Sequence, residues 1–216
     1  MTSPAVVLFA RSPEREAAAK RMRSGAPLFR AVVAAWLRAS RRHGAMPLIA
    51  CTREDREALA AIAPEIERGW IEQRGLTFGT RVANAAEDAF ARGHDAVVLA
   101  AIDAPPHDLG RAFAALAHGI AVVAPASDGG VNYLGITSVD RSLLEDLTAQ
   151  HCRKHFAALL VVETTTDLDS SRALSSARRE RAWRGLLAPI APIAYAPTHP
   201  LRGSSRSNTT RPPPIA

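Results

Sequence analysis

The chain has 216 residues, of which 47% are hydrophobic and 5% aromatic, and its formal charge is +6 at pH 7. This length suits a single domain with a substantial core, and an aliphatic composition favours an α/β protein over an all-β sandwich. The two cysteines supply neither a disulfide framework nor the residue spacing of a zinc site, and no apolar run is long enough to span a membrane, so we expect a cytoplasmic protein. Because the positive charge comes without a recognition helix, zinc finger or aromatic RNA-binding motif, we expect no nucleic-acid partner.

Apolar runs that are typical of strands alternate with helical patterns along the chain. Strands are predicted at residues 5–10, 46–51, 70–73, 96–101, 120–124, 132–136 and 159–163. Helices are predicted at residues 14–22, 28–43, 54–62, 78–92 and 108–116, and a last one from after Asp169 to Trp183. This alternation predicts a mostly parallel sheet flanked by helices. The segment 131–136 follows the preceding strand too closely for a helix to intervene, so we expect it to add an antiparallel strand.

The composition changes towards the end of the chain. Residues 1–190 are predicted to form one domain, and residues 191–216 are rich in Pro, Ser and Arg. So little apolar surface cannot offset the entropy lost on ordering, and 191–216 is therefore predicted to be a disordered tail.

Asp103 is the first candidate for chemistry because it directly follows the apolar strand at 96–101. Ligands of open α/β sheets bind at the carboxyl ends of the strands, a rule that also points to Arg11, Thr52 and Ser127. A carboxylate at this edge can hold Mg²⁺ on a diphosphate. Alternatively, Asp103 caps the helix that begins near Asp108 or stabilises the turn at Pro105.

The turn Asp128-Gly129-Gly130 follows the next strand and precedes Asn132. Two glycines let the backbone approach a ligand closely, and the amide of Asn132 offers hydrogen bonds. This pattern predicts an acceptor-side loop in which Asp128 is a catalytic candidate. A plain hairpin turn is the alternative.

A third acidic group lies at Asp167 and Asp169. Carboxylates at positions i and i+2 of an extended segment point the same way and could hold a divalent cation together. Asp169 is the stronger candidate for a ligand, although it could equally cap the last helix.

Basic residues near the first strand are candidates for binding phosphate. Arg11, Lys20 and Arg21 follow that strand, but no glycine occurs between Phe9 and Gly25, which favours contact through side chains over a backbone cradle. A second candidate is the start of the helix at 78–92, where Gly79 and Arg81 could bind a base or phosphate. A helix start capped by Thr77 is the alternative.

Taken in order, these motifs resemble a known family. The segments that carry the resemblance are Phe9–Pro13, Gly79–Arg81, Asp103–Pro105, Asp128–Gly130 with Gly135, and Asp167–Asp169. They are similar to the bacterial glycosyltransferase-A-like family of uncharacterised proteins in the nucleotide-diphospho-sugar transferase superfamily. Its relatives include the molybdenum-cofactor and 2-phospholactate guanylyltransferases.

The resemblance implies a Rossmann-like glycosyltransferase-A fold that binds a nucleotide through its N-terminal half. It implies Mg²⁺ (or Mn²⁺) held by Asp103, with Asp169 as second ligand, and an acceptor beside Asp128, Gly129 and Gly130. The partners would be a nucleotide-sugar or nucleoside triphosphate and a small-molecule acceptor. We therefore expect a Mg²⁺-dependent glycosyltransferase-like enzyme. The alternatives are a nucleotidyltransferase acting on a phosphorylated acceptor and a non-catalytic binding protein of the same fold.

Overall fold

The computed structural model describes residues 3–23, 25–168, 171–187 and 194–195. In chain order the elements of this part are β1 (Pro4–Phe9), α1 (Pro13–Ala19), β2 (Met22–Arg23), α2 (Ala26–Arg42), β3 (Met46–Cys51), α3 (Arg53–Ala60), β4 (Trp70–Glu72), α4 (Phe78–Ala91), β5 (Ala96–Ala101), α5 (Leu109–Leu116), β6 (Ala121–Pro125), β7 (Val131–Ile136), α6 (Arg141–Glu145), α7 (Ala149–His155), β8 (Leu159–Val161), α8 (Ser171–Ala177), α9 (Arg181–Leu187) and β9 (Ala194–Tyr195).

Seven strands form one mixed sheet in the order β4-β3-β1-β5-β7-β6-β8. β1 pairs in parallel with β3 and β5, β3 pairs in parallel with β4, and β6 pairs in parallel with β8. β7 is antiparallel to both of its neighbours, β5 and β6. The predicted α/β class is confirmed, including the antiparallel strand, because the short turn between β6 and β7 leaves no room for a crossover helix.

Helices cover both faces of the sheet. Val6 and Leu8 of β1 pack in a core with α2, α5 and Trp183 of α9, whereas Val7 and Phe9 pack in a second core with α4, α6 and α7. Alternate residues of a strand face opposite sides, so a continuously apolar β1 is what a sheet buried on both faces requires. The carboxyl ends of β1, β3 and β5 therefore meet at one edge between the two helical layers.

The structure differs from the sequence prediction in its shortest elements. α1 ends at Ala19, before the predicted end at residue 22, because Met22 and Arg23 form β2 and pair with β9. The single last helix predicted up to Trp183 is two helices, α8 and α9. α6 was not predicted, since five residues are too few to show a clear periodicity.

Parts of the predicted organisation lie outside the described residues. This applies to Asp169 and to the predicted tail at 191–216 apart from Ala194 and Tyr195. The division into a domain at 1–190 and a tail stays a prediction. Among the described residues, no helix combines the length and the hydropathy needed to span a bilayer.

Candidate functional site

Two cavities open at the carboxyl edge of the parallel strands. The larger has a volume of about 470 Å³ and the smaller about 230 Å³. Polar and charged side chains of the larger cavity are Arg11, Arg15, Glu16, Lys20, Thr52, Asp55, Gln73, Arg81 and Asp103. Those of the smaller cavity are Asp103, Asp128, Asn132 and Asp167.

Asp103 lies at the junction of the two cavities. It lines both of them, together with Ala101 and the rings of Phe9 and Phe78, which meet edge to face with centroids 5.8 Å apart. The alternative role of Asp103 as a helix cap does not apply, because Asp108 is the N-cap residue of α5. The residue expected first from sequence is thus the one that a ligand in either cavity would meet.

Lys20 forms an ion pair with Asp103. Its Nζ donates to Asp103 Oδ2 at 2.9 Å, and the two side chains are only 14% and 24% exposed. Burial alone would lower the pKa of Lys20, but the charge and hydrogen bond of Asp103, with Glu16 and Asp167, outweigh it and raise that pKa. Lys20 therefore stays a cation at the junction.

Glu16 of α1 lies between two of the cationic side chains that line the larger cavity. It is buried, with Lys20 Nζ at 3.7 Å and an Arg11 guanidinium nitrogen at 3.6 Å. Burial raises the pKa of Glu16, against the lowering effect of Lys20 and aided by the nearby charge of Asp103. Glu16 and Asp103 thus share Lys20 as a cationic partner.

Asp55 fixes the loop after β1 in place of a glycine-rich turn. Its buried carboxylate accepts hydrogen bonds from the backbone N–H of Ser12 at 2.9 Å, the hydroxyl of Thr52 at 2.8 Å and the guanidinium of Arg15 at 3.0 Å. Burial would raise the pKa of Asp55, but these hydrogen bonds outweigh it and lower that pKa. Sequence reasoning missed Asp55; the available signal was an acidic residue three positions after the N-cap Thr52.

Arg81 lines the larger cavity, and one nitrogen of its guanidinium group makes no hydrogen bond to the described residues. Its Nε is buried and has no hydrogen-bond partner among the described residues, and its guanidinium carbon lies 5.8 Å from the centroid of the Phe78 ring. Buried polar groups are usually paired, so this unpaired nitrogen is unusual in a residue that lines the cavity.

Gly79 and Arg21 do not line the cavities. A Cβ added at Gly79 would lie 2.4 Å from the carbonyl oxygen of Glu145, so this glycine allows α4 to approach α6 closely. Arg21 has φ +55 and lines a shallow groove with Glu14. The structure thus brings together Arg11, Lys20 and Arg81 and leaves Arg21 apart.

The predicted acceptor-side turn borders the smaller cavity. Asp128 Oδ1 accepts the N–H of Gly130 at 2.8 Å, and Gly129 takes φ +97, a conformation that glycine adopts without strain. The Nδ2 of buried Asn132 donates to Pro125 O, Thr165 O and Thr165 Oγ1 at 3.2, 3.0 and 2.7 Å. The amide nitrogen of Asn132 is therefore used in holding the wall together. Both backbone groups of Gly130 are used within the turn, since its carbonyl oxygen accepts from the N–H of Ala126 at 3.0 Å, whereas the side chain of Asp128 is exposed.

The segment after β8 brings Asp167 to the smaller cavity. Leu168 N–H donates to the carbonyl oxygen of Asp103 at 3.0 Å, which holds this segment against the end of β5. Glu180 accepts hydrogen bonds from the N–H and hydroxyl of Thr166, and the indole of Trp183 donates to Thr166 O at 2.7 Å. The last helices thus clamp the segment that carries Asp167.

Only one of the two expected metal ligands belongs to the described residues. Asp103 is in place, but Asp169 lies outside the described residues. Within residues 3–23, 25–168, 171–187 and 194–195, no group of three or more His, Cys, Asp or Glu is arranged to hold a metal ion. A metal held jointly by Asp103 and Asp169 stays a prediction.

A family model matches residues 35–151, which is more than half of the chain. The chain belongs to the DUF2064 family. That family is described as an uncharacterized protein conserved in bacteria. The match confirms the resemblance drawn from the motifs, and in this DUF2064 protein it includes Asp103 and Asp128 but ends before Asp167.

Solved structures share the fold of this DUF2064 protein. A candidate nucleotide-diphospho-sugar transferase from Desulfovibrio desulfuricans G20 is 23% identical, with 88% of this chain and 95% of that chain covered and a TM-score of 0.67. A 4-diphosphocytidyl-2C-methyl-D-erythritol synthase from Anaerococcus prevotii DSM 20548 is 10% identical, with 86% and 98% covered and a TM-score of 0.54. A CMP:2-keto-3-deoxy-manno-octonic acid synthetase in complex with CTP is 13% identical, with 87% and 99% covered and a TM-score of 0.51.

No curated protein matches the sequence. The structural similarities confirm the Rossmann-like fold of the nucleotide-diphospho-sugar transferases for this DUF2064 protein.

Proposed function

We propose that this DUF2064 protein is a Mg²⁺-dependent transferase that uses a nucleotide-activated donor, with glycosyl transfer as the leading reaction. The observation that carries the proposal is the larger cavity, which is lined by Asp103 and by four cationic side chains, Arg11, Arg15, Lys20 and Arg81. This cavity lies at the carboxyl ends of β1, β3 and β5, the edge at which open α/β sheets bind nucleotides. The shared fold with nucleotidyl- and sugar-transferases supports the same choice.

The donor would bind through its phosphates. Lys20 and Arg81, which both line the larger cavity, would neutralise a diphosphate. Gln73 offers a site for the base or ribose, because its Nε2 donates to Ala50 O at 2.8 Å and its amide oxygen can accept from a ligand. These contacts replace the glycine-rich phosphate cradle that the chain lacks.

The residues present fit a magnesium ion that is completed by its substrate. Asp103 supplies a partly exposed carboxylate, and Mg²⁺ is usually bound by one or two carboxylates together with substrate phosphates and water. We propose Asp103 as one ligand and Asp169 as the second. When bound, the ion would neutralise the diphosphate leaving group.

The side chains at the junction then have separable roles. Lys20 would exchange Asp103 for the donor phosphates as the donor enters, since Lys20 and Asp103 both line the larger cavity. The Asp128 turn would hold the acceptor in the smaller cavity. Fixing the two reactants on either side of Asp103 supplies the positioning that accelerates a bimolecular transfer.

Melting temperatures measured with nucleoside triphosphates and sugar-nucleotides, each with and without Mg²⁺, test this proposal. We expect a Mg²⁺-dependent rise for at least one nucleotide, lost in Asp103→Asn and kept in Asp146→Asn, a matched change at a side chain that is 82% exposed. If no nucleotide raises the melting temperature, the proposed transferase function is wrong.

Nucleotidyl transfer is the second candidate, because four cationic side chains also suit a nucleoside triphosphate. The product separates the two reactions: nucleotidyl transfer releases pyrophosphate, and glycosyl transfer releases a nucleotide. A non-catalytic binding protein would bind a nucleotide equally well with Asp103→Asn.

A further inference from the structure

Lys20 neutralises the carboxylate that we propose as a metal ligand. Its Nζ lies 2.9 Å from Asp103 Oδ2, and both side chains are largely buried. A hydrogen bond between two charged groups at this distance is stronger than one between neutral groups, and partial burial protects it from screening by salt. Asp103 is therefore paired with a cation of the protein itself.

The surroundings of Lys20 hold a cation at this point. Glu16 lies 3.7 Å from Lys20 Nζ, and the charge of Asp167 also attracts the ammonium group. The guanidinium of Arg11 lies 3.6 Å from Glu16, so it offsets part of the charge of that carboxylate. These three carboxylates and two cations form one cluster, in which Lys20 is hydrogen-bonded to Asp103.

Lys20 competes with a divalent cation for Asp103. Mg²⁺ and Mn²⁺ bind carboxylate oxygens, and Lys20 Nζ already takes an acceptor position of Asp103 Oδ2. Two cations on one carboxylate also repel each other, and this repulsion is stronger in a partly buried site than in water. While Lys20 stays in place, the affinity of Asp103 for a divalent cation is therefore lowered.

The larger cavity offers Lys20 another anionic partner. Lys20 lines this cavity, whereas Asp103 lines both cavities. Phosphate oxygens of a donor in the larger cavity would compete with Asp103 for the ammonium group. Glu16, one helical turn before Lys20, would stay beside it during the exchange. Donor binding would thus release the carboxylate of Asp103.

We propose that Lys20 is an internal counter-ion, which weakens the binding of a divalent metal at Asp103 until the donor phosphates bind Lys20. This inference rests on the proposed function and deepens it, because metal binding at Asp103 then depends on the donor. The protein would bind metal and nucleotide together and the metal alone only weakly. Because such coupling is reciprocal, the metal should strengthen nucleotide binding by the same factor.

Mn²⁺ binding without any nucleotide tests the competition. Free Mn²⁺ gives an electron paramagnetic resonance signal that falls on binding, so a titration yields the dissociation constant. We expect Lys20→Met to bind Mn²⁺ more tightly than the wild type by about threefold or more, because the competing cation is gone. This gain should disappear when Asp103→Asn is added. The inference is overturned if Lys20→Met shows no gain, or if the gain survives in the double variant.

Two control variants separate the competition from a general loss of positive charge. Lys154→Met is the same substitution at an exposed residue that lines neither cavity. Arg81→Met removes another cation from the larger cavity, one whose guanidinium lies beside the ring of Phe78. Both should bind Mn²⁺ about as the wild type does, and a gain in either that equals the gain in Lys20→Met refutes the inference. If Lys20→Met does not fold, Lys20→Gln serves with the same expected gain.

Adding a nucleotide to the same titration tests the dependence on the donor. A nucleotide that binds should tighten Mn²⁺ binding by a larger factor in the wild type than in Lys20→Met, and equal factors would overturn the inference. If nucleotides raise the melting temperature but Lys20→Met gains no Mn²⁺ affinity, the internal counter-ion is wrong and the donor site stands. If the gain is present but no nucleotide binds, Lys20 competes with the metal and the transferase function is wrong.

Discussion

Replacing Gly79 by alanine tests how closely α4 and α6 must approach. The added Cβ would lie 2.4 Å from the carbonyl oxygen of Glu145 and 2.6 Å from its Cα. Ordinary contact begins near 3.4 Å, so the backbones must separate by about 1 Å. Forced overpacking of this kind costs about 1–3 kcal/mol, more than the roughly 0.5–1 kcal/mol that alanine gains over glycine inside a helix. We therefore expect Gly79→Ala to lower the free energy of unfolding by about 1–2 kcal/mol.

Gly185→Ala is the matched control. Gly185 lies inside α9, and an added Cβ there meets no atom of the described residues within 4 Å. The same chemical change should therefore raise the free energy of unfolding by about 0.5–1 kcal/mol. Urea denaturation of both variants gives the comparison, since the midpoint shifts and the slope should not. If Gly79→Ala is as stable as the wild type, the close packing of α4 on α6 is not as described.

Three further outcomes are expected. Lys20→Met removes the partner of Asp103 and should weaken nucleotide binding about tenfold by calorimetry, or about 1.4 kcal/mol; unchanged affinity would contradict the phosphate role of Lys20. The folded-state pKa of Asp55 is lowered, so its stabilisation is present above its unfolded pKa near 3.9 and is lost as the pH falls through the folded value. Asp55→Asn should thus be less stable by about 2 kcal/mol at pH 7, with a gap that narrows below about pH 4; a gap independent of pH would refute this. Trp183→Phe loses the hydrogen bond to Thr166 O and should cost about 1 kcal/mol in thermal unfolding, and no loss would show that the bond adds nothing.

The sheet was largely predictable because its strands are apolar on both faces. The predicted bounds at 46–51 and 96–101 match β3 and β5, and the antiparallel β7 followed from the length of one turn. β2 and β9 have two residues each, which is too short for a periodic pattern. Their pairing also joins residues far apart in sequence, so these two strands could not be predicted.

The candidate site was predictable residue by residue but not in its pairings. A strand end indicated Asp103, yet no local pattern shows that Lys20, 83 positions earlier, pairs with it. Gly79 was expected to face a ligand, but its contact is with Glu145, which belongs to a helix too short to be predicted. Tertiary contacts of this kind cannot be predicted from local sequence patterns.

The clamp on Thr166 has a consequence for synthesis of the chain. All seven strands of the large sheet are complete at Val161, but Glu180 and Trp183, which hold the segment with Asp167, come later. Once β8 has emerged from the ribosome, all strands of the large sheet can pair. The segment with Asp167, which borders the smaller cavity, is not yet held by Glu180 and Trp183. Premature termination between β8 and α9 would yield a protein that keeps all seven strands but lacks the hydrogen bonds of Glu180 and Trp183 to the segment that carries Asp167.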